Sequence, residues 1–264
     1  MTDPRIKQFY EENVQLEWER FMRHPVEFEI TTRMLDPFLK PGQTLLDIGG
    51  GPGRYALRYA ERGLDVTLVD LSKNNVAFAL DKAAAQGLSI RGLAADALDV
   101  DKLLPGQHVF LMGPLYHLLE EEQRREAVRV ALALTKPGGM LYCSFLVLFS
   151  GIIFFMSEAP AQLLGATEKP FLDALLQNKS YAGAAFTQAY FCTQGEILPF
   201  MQDFGLEDLR LFGQEGILAQ MEPILLQQTP EVQAAWFDVA HQLCEQPEYL
   251  SYSEHLMAFG RKPG

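Results

Sequence analysis

Apolar residues along this chain follow two rhythms. Short apolar runs at Thr44–Ile48, Asp65–Val69, His108–Met112 and Met140–Leu146 are bounded by Gly, Pro or Asp, the mark of buried strands. Between them, helical patterns run from about 53 to 62, closed by Gly63, and from 73 to 86, closed by Gly87. A third runs from 120 to 135, with Glu120, Glu121 and Glu122 at the positive end of its dipole. A short strand is expected near Ser89–Leu93. Strands alternating with helices predict an α/β fold built on a mostly parallel sheet.

The flanks differ. Phe9, Tyr10, Val14, Trp18, Phe21 and Met22 recur at helical steps, Pro25 interrupts, and a second helix is expected over Val26–Phe38. Residues 147–190 show no strand pattern of a core sheet and read as a helical insertion. Thr193 with Glu196 three residues later opens another helix as a capping box. Strands are expected at 206–213 and 255–261, with a mostly helical stretch, broken by Pro223 and Pro230, over 216–246. No internal repeat, low-complexity tract or flexible linker is seen.

The first strand runs straight into Asp47-Ile48-Gly49-Gly50-Gly51-Pro52-Gly53-Arg54. Glycines at 49, 51 and 53 take backbone angles that a Cβ forbids and let a ligand lie against the main chain. The helix that follows offers unpaired N–H groups to that ligand. A dinucleotide fold wants G-x-G-x-x-G, which is missing, so a nicotinamide-linked oxidoreductase is disfavoured. The pattern Asp47-x-Gly49-x-Gly51-x-Gly53 resembles instead motif I of the class I S-adenosylmethionine (SAM)-dependent methyltransferases. Later segments carry the same resemblance: Asp70 at the end of the second strand, Asp96-Ala97 after the third, Gly113-Pro114-Leu115-Tyr116-His117-Leu118 after the fourth, and the Lys136-Pro137-Gly138-Gly139 turn. The strand-four loop is similar to the form seen in bacterial small-molecule methyltransferases. It lacks the Asn/Asp-Pro-Pro-aromatic tetrapeptide of enzymes that act on adenine or planar amide nitrogens.

The resemblance implies a Rossmann-like sheet of seven strands in the order 3-2-1-4-5-7-6, the last strand antiparallel, with helices on both faces and a helical cap. It implies one methyltransferase domain over 1–264, with residues 1–38 as an N-terminal lid and 147–190 as part of the substrate pocket. It implies SAM as cofactor, bound at Asp47, Gly49, Gly51, Gly53, Asp70, Leu71, Asp96, Ala97 and Met112. Asp70 would take both ribose hydroxyls, since a carboxylate has two acceptor oxygens. Leu71 would flank the adenine, Asp96 would meet its amino group and Ala97 its ring. Tyr10 and Trp18 would shield the sulfonium, where a cation beside an aromatic face gains ~1 kcal/mol or more. Tyr116 would wall the substrate pocket. His117 would bind substrate and act as general base, or would only order its loop. Phe149, Phe154, Phe155, Met156, Phe171 and Tyr181 would line that pocket or pack the cap. The implied reaction is direct displacement of the methyl group onto a small-molecule acceptor. The alternatives are a non-enzymatic SAM-binding or interaction module and an RNA methyltransferase.

Charge narrows these choices. With 22 basic and 34 acidic residues, net −12, the surface repels phosphate backbones, so nucleic acid is not expected as a partner. Cys143, Cys192 and Cys244 form neither a C-x-x-C nor a disulfide frame, which suits a reducing cytoplasm, and the N-terminus starts no signal peptide. No metal-ligand spacing is read. The apolar run at 145–156 is shorter than the ~20 residues of a spanning helix, so no membrane span is expected.

Overall fold

The computed structural model describes residues 3–100 and 102–264, so the first two residues of the expected lid lie outside the described residues. The strands in chain order are β1 (Thr44–Ile48), β2 (Asp65–Asp70), β3 (Arg91–Ala94), β4 (Gly106–Leu111), β5 (Thr135–Leu146), β6 (Tyr181–Ala184), β7 (Gln188–Phe191), β8 (Glu207–Gly213) and β9 (His255–Arg261). Seven of them form one sheet in the order β3-β2-β1-β4-β5-β9-β8. Pairings among β1 to β5 are parallel, while β9 runs antiparallel to both β5 and β8. Counting only the main sheet, this is the expected 3-2-1-4-5-7-6 order.

The central strands are buried on both faces, so their alternate residues feed two cores. Leu45, Phe110 and Tyr142 join one core, against α3 (Pro25–Leu35), α4 (Arg54–Glu61) and the helix Pro230–Leu243. Leu46, Ile48, Val109, Leu111 and Leu141 join the other, against α6 (Glu121–Ala133) and α9 (Gln194–Gln202). Each such side chain contributes roughly 1.5–3 kcal/mol when fully buried. The carboxyl ends of β1, β2 and β4 meet where the strand order reverses, which is where open α/β sheets bind ligands.

Several boundaries differ from the sequence reading. The N-terminal segment forms three helices: α1 (Pro4–Glu12), α2 (Val14–Arg23) and α3. The extra break falls at Asn13, whose side-chain amide donates to the Phe9 carbonyl at 2.8 Å and competes with helix continuation. β5 begins before the Lys136-Pro137-Gly138-Gly139 turn, which is absorbed as an irregularity with Gly138 at φ +72°. The insertion is not wholly helical. After α7 (Ser150–Ser157) and α8 (Lys169–Leu176), β6 and β7 pair as an antiparallel hairpin. Thr193 caps α9 as expected, its N–H donating to Glu196 at 2.7 Å. Among the described residues, no helix is long and apolar enough to cross a membrane, and the run at 145–156 is divided between β5 and α7. The three cysteines are buried and free.

Candidate active site

The glycine turn after β1 is pinned at both ends. Gly49 and Gly50 N–H groups donate to the Val69 carbonyl on β2 at 2.8 and 3.2 Å. Gly49, Gly51 and Gly53 all have positive φ, at 77°, 55° and 87°. Each glycine meets a different neighbour. A Cβ on Gly49 would lie 2.4 Å from the Pro114 ring, and one on Gly53 would lie 2.7 Å from Ala79 Cβ on α5 (Lys73–Ala85). A Cβ on Gly51 would meet nothing within 4 Å. Gly49 therefore admits the strand-four loop, Gly53 admits α5, and Gly51 faces open space.

Asp70 ties the turn to the next helix. Its Oδ2 accepts the Gly51 N–H at 2.8 Å, and its Oδ1 accepts the Ser72 N–H at 2.9 Å and the Asn75 amide at 3.1 Å. Three of its roughly four lone-pair sites are thus taken, which leaves room for one ribose hydroxyl rather than the two expected from the sequence. Burial raises its pKa, and the three donors work against that rise. Asp47 lies beneath the turn, 1% exposed, with Oδ2 lacking any partner. Burial first, and then the Asp70 charge, pushes the Asp47 pKa up to about 7.

These residues open on a cleft of about 130 Å³, also lined by Leu71, Asp96, Ala97, Met112, Tyr116, His117 and, from α1, Tyr10. Asp96 caps its own loop, accepting the Leu98 N–H at 3.1 Å. Of the expected cofactor residues, Trp18 and Gly53 lie outside the cleft lining. Gly53 is a packing glycine. Trp18 is already occupied: the Arg54 guanidinium stacks 3.6 Å from its ring centre, Arg54 Nε donates to its carbonyl at 2.8 Å, and Phe78 meets its edge at 5.4 Å.

Tyr10 and His117 make the contact between α1 and the strand-four loop. His117 Nδ1 lies 3.1 Å from the Gln188 carbonyl, which can only accept, so Nδ1 carries the proton. Nε2 then accepts the Tyr10 hydroxyl at 2.7 Å. Burial lowers the His117 pKa to about 4, against a weaker rise from Gln188, so the ring is neutral at physiological pH. Asn74 adds a second tie on α1, its amide donating to the Glu11 carbonyl at 3.0 Å.

A larger cavity of about 780 Å³ adjoins the cleft, and Tyr10, Glu17, Arg20, Glu27 and Tyr116 line both. Phe154, Phe155 and Phe171 from the insertion line it too, whereas Phe149, Met156 and Tyr181 do not. Its polar floor was missed by the sequence reading. Arg20 is ion-paired with Glu27, His24 lies 3.0 Å from Glu222, and His255 Nδ1 lies 2.6 Å from Glu215. A signal existed for half of it: positions 17, 20, 24 and 27 recur at three- and four-residue steps beside the aromatic stripe. Glu27, Glu215 and His255 place donor atoms within 4.8 Å of one another, a spacing a divalent ion accepts, but each already has an ionic partner here.

This floor has a pH signature. Burial lowers the His255 pKa, but the charge and hydrogen bond of Glu215, with Glu27 beyond, raise it further, to about 9 from a reference of 6.5. A raised folded-state pKa contributes stability that is full below pH 6.5 and is lost as pH climbs through 9. Glu254, raised to about 7 by burial and Glu215, has reached its full penalty by then. The melting temperature should therefore fall between about pH 7.5 and 9.5, and Glu215→Gln should flatten that fall; equal slopes in both proteins would refute the pairing.

Comparison with known proteins bears on the domain and the fold. A family model described as a methyltransferase domain matches residues 45–139. The chain is 36% identical over 107 residues to the ubiquinone biosynthesis O-methyltransferase of Caulobacter vibrioides, covering 40% of this chain and 41% of that protein. It is 28% identical over 140 residues to the glycine/sarcosine N-methyltransferase of Parasynechococcus marenigrum, covering 51% of this chain and 50% of that one. The chain thus spans about half or less of the length of these curated relatives. Among solved structures, the 1,6-didemethyltoxoflavin-N1-methyltransferase of Burkholderia thailandensis, with its substrate and S-adenosylhomocysteine (SAH) bound, superposes with TM-score 0.60 at 15% identity, over 98% of this chain and 88% of that one. The [4+2]-cyclase SpnF superposes with TM-score 0.55 at 22% identity, over 89% of this chain and 80% of that one. Residues 45–139 thus match a methyltransferase domain, and the fold of the chain is that of structures solved with SAH, the demethylated product of the cofactor SAM.

The residues present fit this cofactor. The turn leaves open space above Gly51, and the buried Asp47 Oδ2 lacks a partner.

Proposed function

We propose that the protein transfers the methyl group of SAM to a small molecule seated in the larger cavity. The observation that carries this reading is the shared wall, where Tyr10 and Tyr116 border both the cofactor cleft and the cavity. Bound SAM would supply a methyl group already activated by the sulfonium. Gly49, Gly51, Asp47, Asp70, Leu71, Asp96, Ala97 and Met112 would hold it, with α1 and α2 closing over it as a lid. The protein's task is then placement, which supplies as much as ~7–11 kcal/mol of such a barrier. The acceptor's lone pair forms the new bond to the methyl carbon as the carbon–sulfur bond breaks toward sulfur.

His117 can serve as base only where Tyr10 yields its hydrogen bond to Nε2, because Nδ1 is committed to Gln188. We assign the pair first to positioning: it fixes Tyr10 at the junction and holds the lid to the strand-four loop. The named relatives act on small molecules by their names, and the net charge of −12 disfavours RNA. The buried thiols suit a reducing cytoplasm.

Incubation with methyl-labelled SAM and a fractionated metabolite pool tests the proposal. Label should enter a low-mass product and leave RNA unlabelled. Tyr10→Phe should lower turnover at least about tenfold and change SAH affinity little, as expected of a lost positioning hydrogen bond. SAH binding with no labelled product in any fraction would favour a binding module or another chemistry on this fold, as with the cyclase.

A further inference from the structure

Among the described residues, the larger cavity shows no free cation. Arg20 is held by Glu27 and lies 3.7 Å from Glu17; Arg23 lies 3.7 Å from Glu19 and donates to the Leu16 carbonyl. His24 faces Glu222, and His255 faces Glu215. Each positive group on the wall is therefore answered by a carboxylate before any ligand arrives. The carboxylates are in excess. Among the described residues, Glu158, Glu168 and Glu254 line the same cavity with no ion pair. A carboxylate- or phosphate-bearing molecule would meet spent cations and an uncompensated negative field.

The rest of the wall is aromatic. Tyr10, Tyr116, Phe154, Phe155, Phe171 and Phe186 contribute ring surface. Aromatic faces beside carboxylates are the chemistry that holds organic cations. One neutral polar group also waits there: Ser150 lines the cavity, is 4% exposed, and its Oγ has no hydrogen-bond partner.

We infer that the acceptor is an amine, held in this cavity as its ammonium ion by the surplus carboxylates and the aromatic wall. This rests on the methyltransferase reading and narrows it to a substrate class. The ammonium is a recognition group; the methyl goes to another atom of the molecule, one that keeps a free lone pair. Glu254 is the nearest thing to an anchor: it makes no ion pair, and burial and Glu215 outweigh the opposing pull of His255 and His24. Its pKa, raised to about 7 by burial and then by Glu215, marks a site where an arriving positive charge relieves an existing repulsion.

Calorimetry on the full chain saturated with SAH tests this, using benzyltrimethylammonium, benzyl alcohol and phenylacetate as probes of one shape and three charges, and Mn²⁺ as a fourth. The ammonium should bind at least about tenfold tighter than the alcohol or the acid. Glu254→Gln should cut that preference several-fold with SAH affinity unchanged. Should Glu254→Gln fold poorly, the double variant Glu158→Gln/Glu168→Gln, on the cap, should cut it in the same sense. Phenylacetate or benzyl alcohol binding as tightly as the ammonium would overturn the inference. So would Mn²⁺ binding at Glu27, Glu215 and His255 in place of the ammonium. Absence of SAH binding at the outset would instead count against the methyltransferase reading itself.

Discussion

Gly49→Ala should raise the SAH dissociation constant at least about 30-fold and lower the melting temperature. Two costs add at this position. An alanine at φ +77° is strained by ~1–2 kcal/mol. Its Cβ would also lie 2.4 Å from the Pro114 ring, so the glycine turn and the strand-four loop must part. Overpacking of that kind costs typically ~1–3 kcal/mol, and both displaced segments are walls of the cleft proposed to hold SAM. Gly51→Ala is the control. It carries comparable backbone strain, but its Cβ meets nothing in the free protein. Its melting temperature should fall less than that of Gly49→Ala, while SAH affinity still drops because the new methyl group enters the cleft. Equal melting temperatures for the two variants would refute the packing argument.

Asp70→Asn should weaken SAH binding about 100-fold, near 3 kcal/mol, on the scale of lost hydrogen bonds to a charged group. The aspartate receives N–H donors on both oxygens, from Gly51 on one side and from Ser72 and Asn75 on the other. An asparagine has one acceptor oxygen, so one side must face its NH₂ with a donor against a donor. If the Gly51 side loses, the glycine turn is released. If the other side loses, the start of α5 is. A second consequence follows from charge. The Asp70 carboxylate is part of what raises the Asp47 pKa, so the variant should bring Asp47 down from about 7. Carbonyl infrared difference spectra or carbon NMR would read that shift; an unmoved Asp47 would mean the two acids do not interact.

The sheet was legible where burial is strongest. β1 and β2 sit between sharp apolar runs and polar stops, and their limits follow the pattern closely. β3 is an edge strand with all four residues exposed, so it carries no apolar rhythm and its limits shifted. The hairpin β6–β7 escaped because Tyr181, Gly183 and Ala184 alternate too weakly against the apolar background of the insertion. Tyr10 and Trp18 were indistinguishable in sequence, being aromatics about two helical turns apart on one apolar stripe. The bend at Asn13 separates them, leaving Tyr10 in the cleft and Trp18 under Arg54. The polar floor of the larger cavity was illegible as a unit. Its members come from residues 17–27, 215–222 and 254–255, which only the antiparallel return of β9 beside β5 brings together.

A crystal structure of the protein grown with SAH tests the central claim most directly. The account predicts the amino-acid end of the ligand over Gly49–Gly51, a ribose hydroxyl within hydrogen-bond reach of Asp70, and the adenine between Leu71 and Ala97. SAH lodged in the larger cavity, or a cleft still filled by protein side chains, would contradict it.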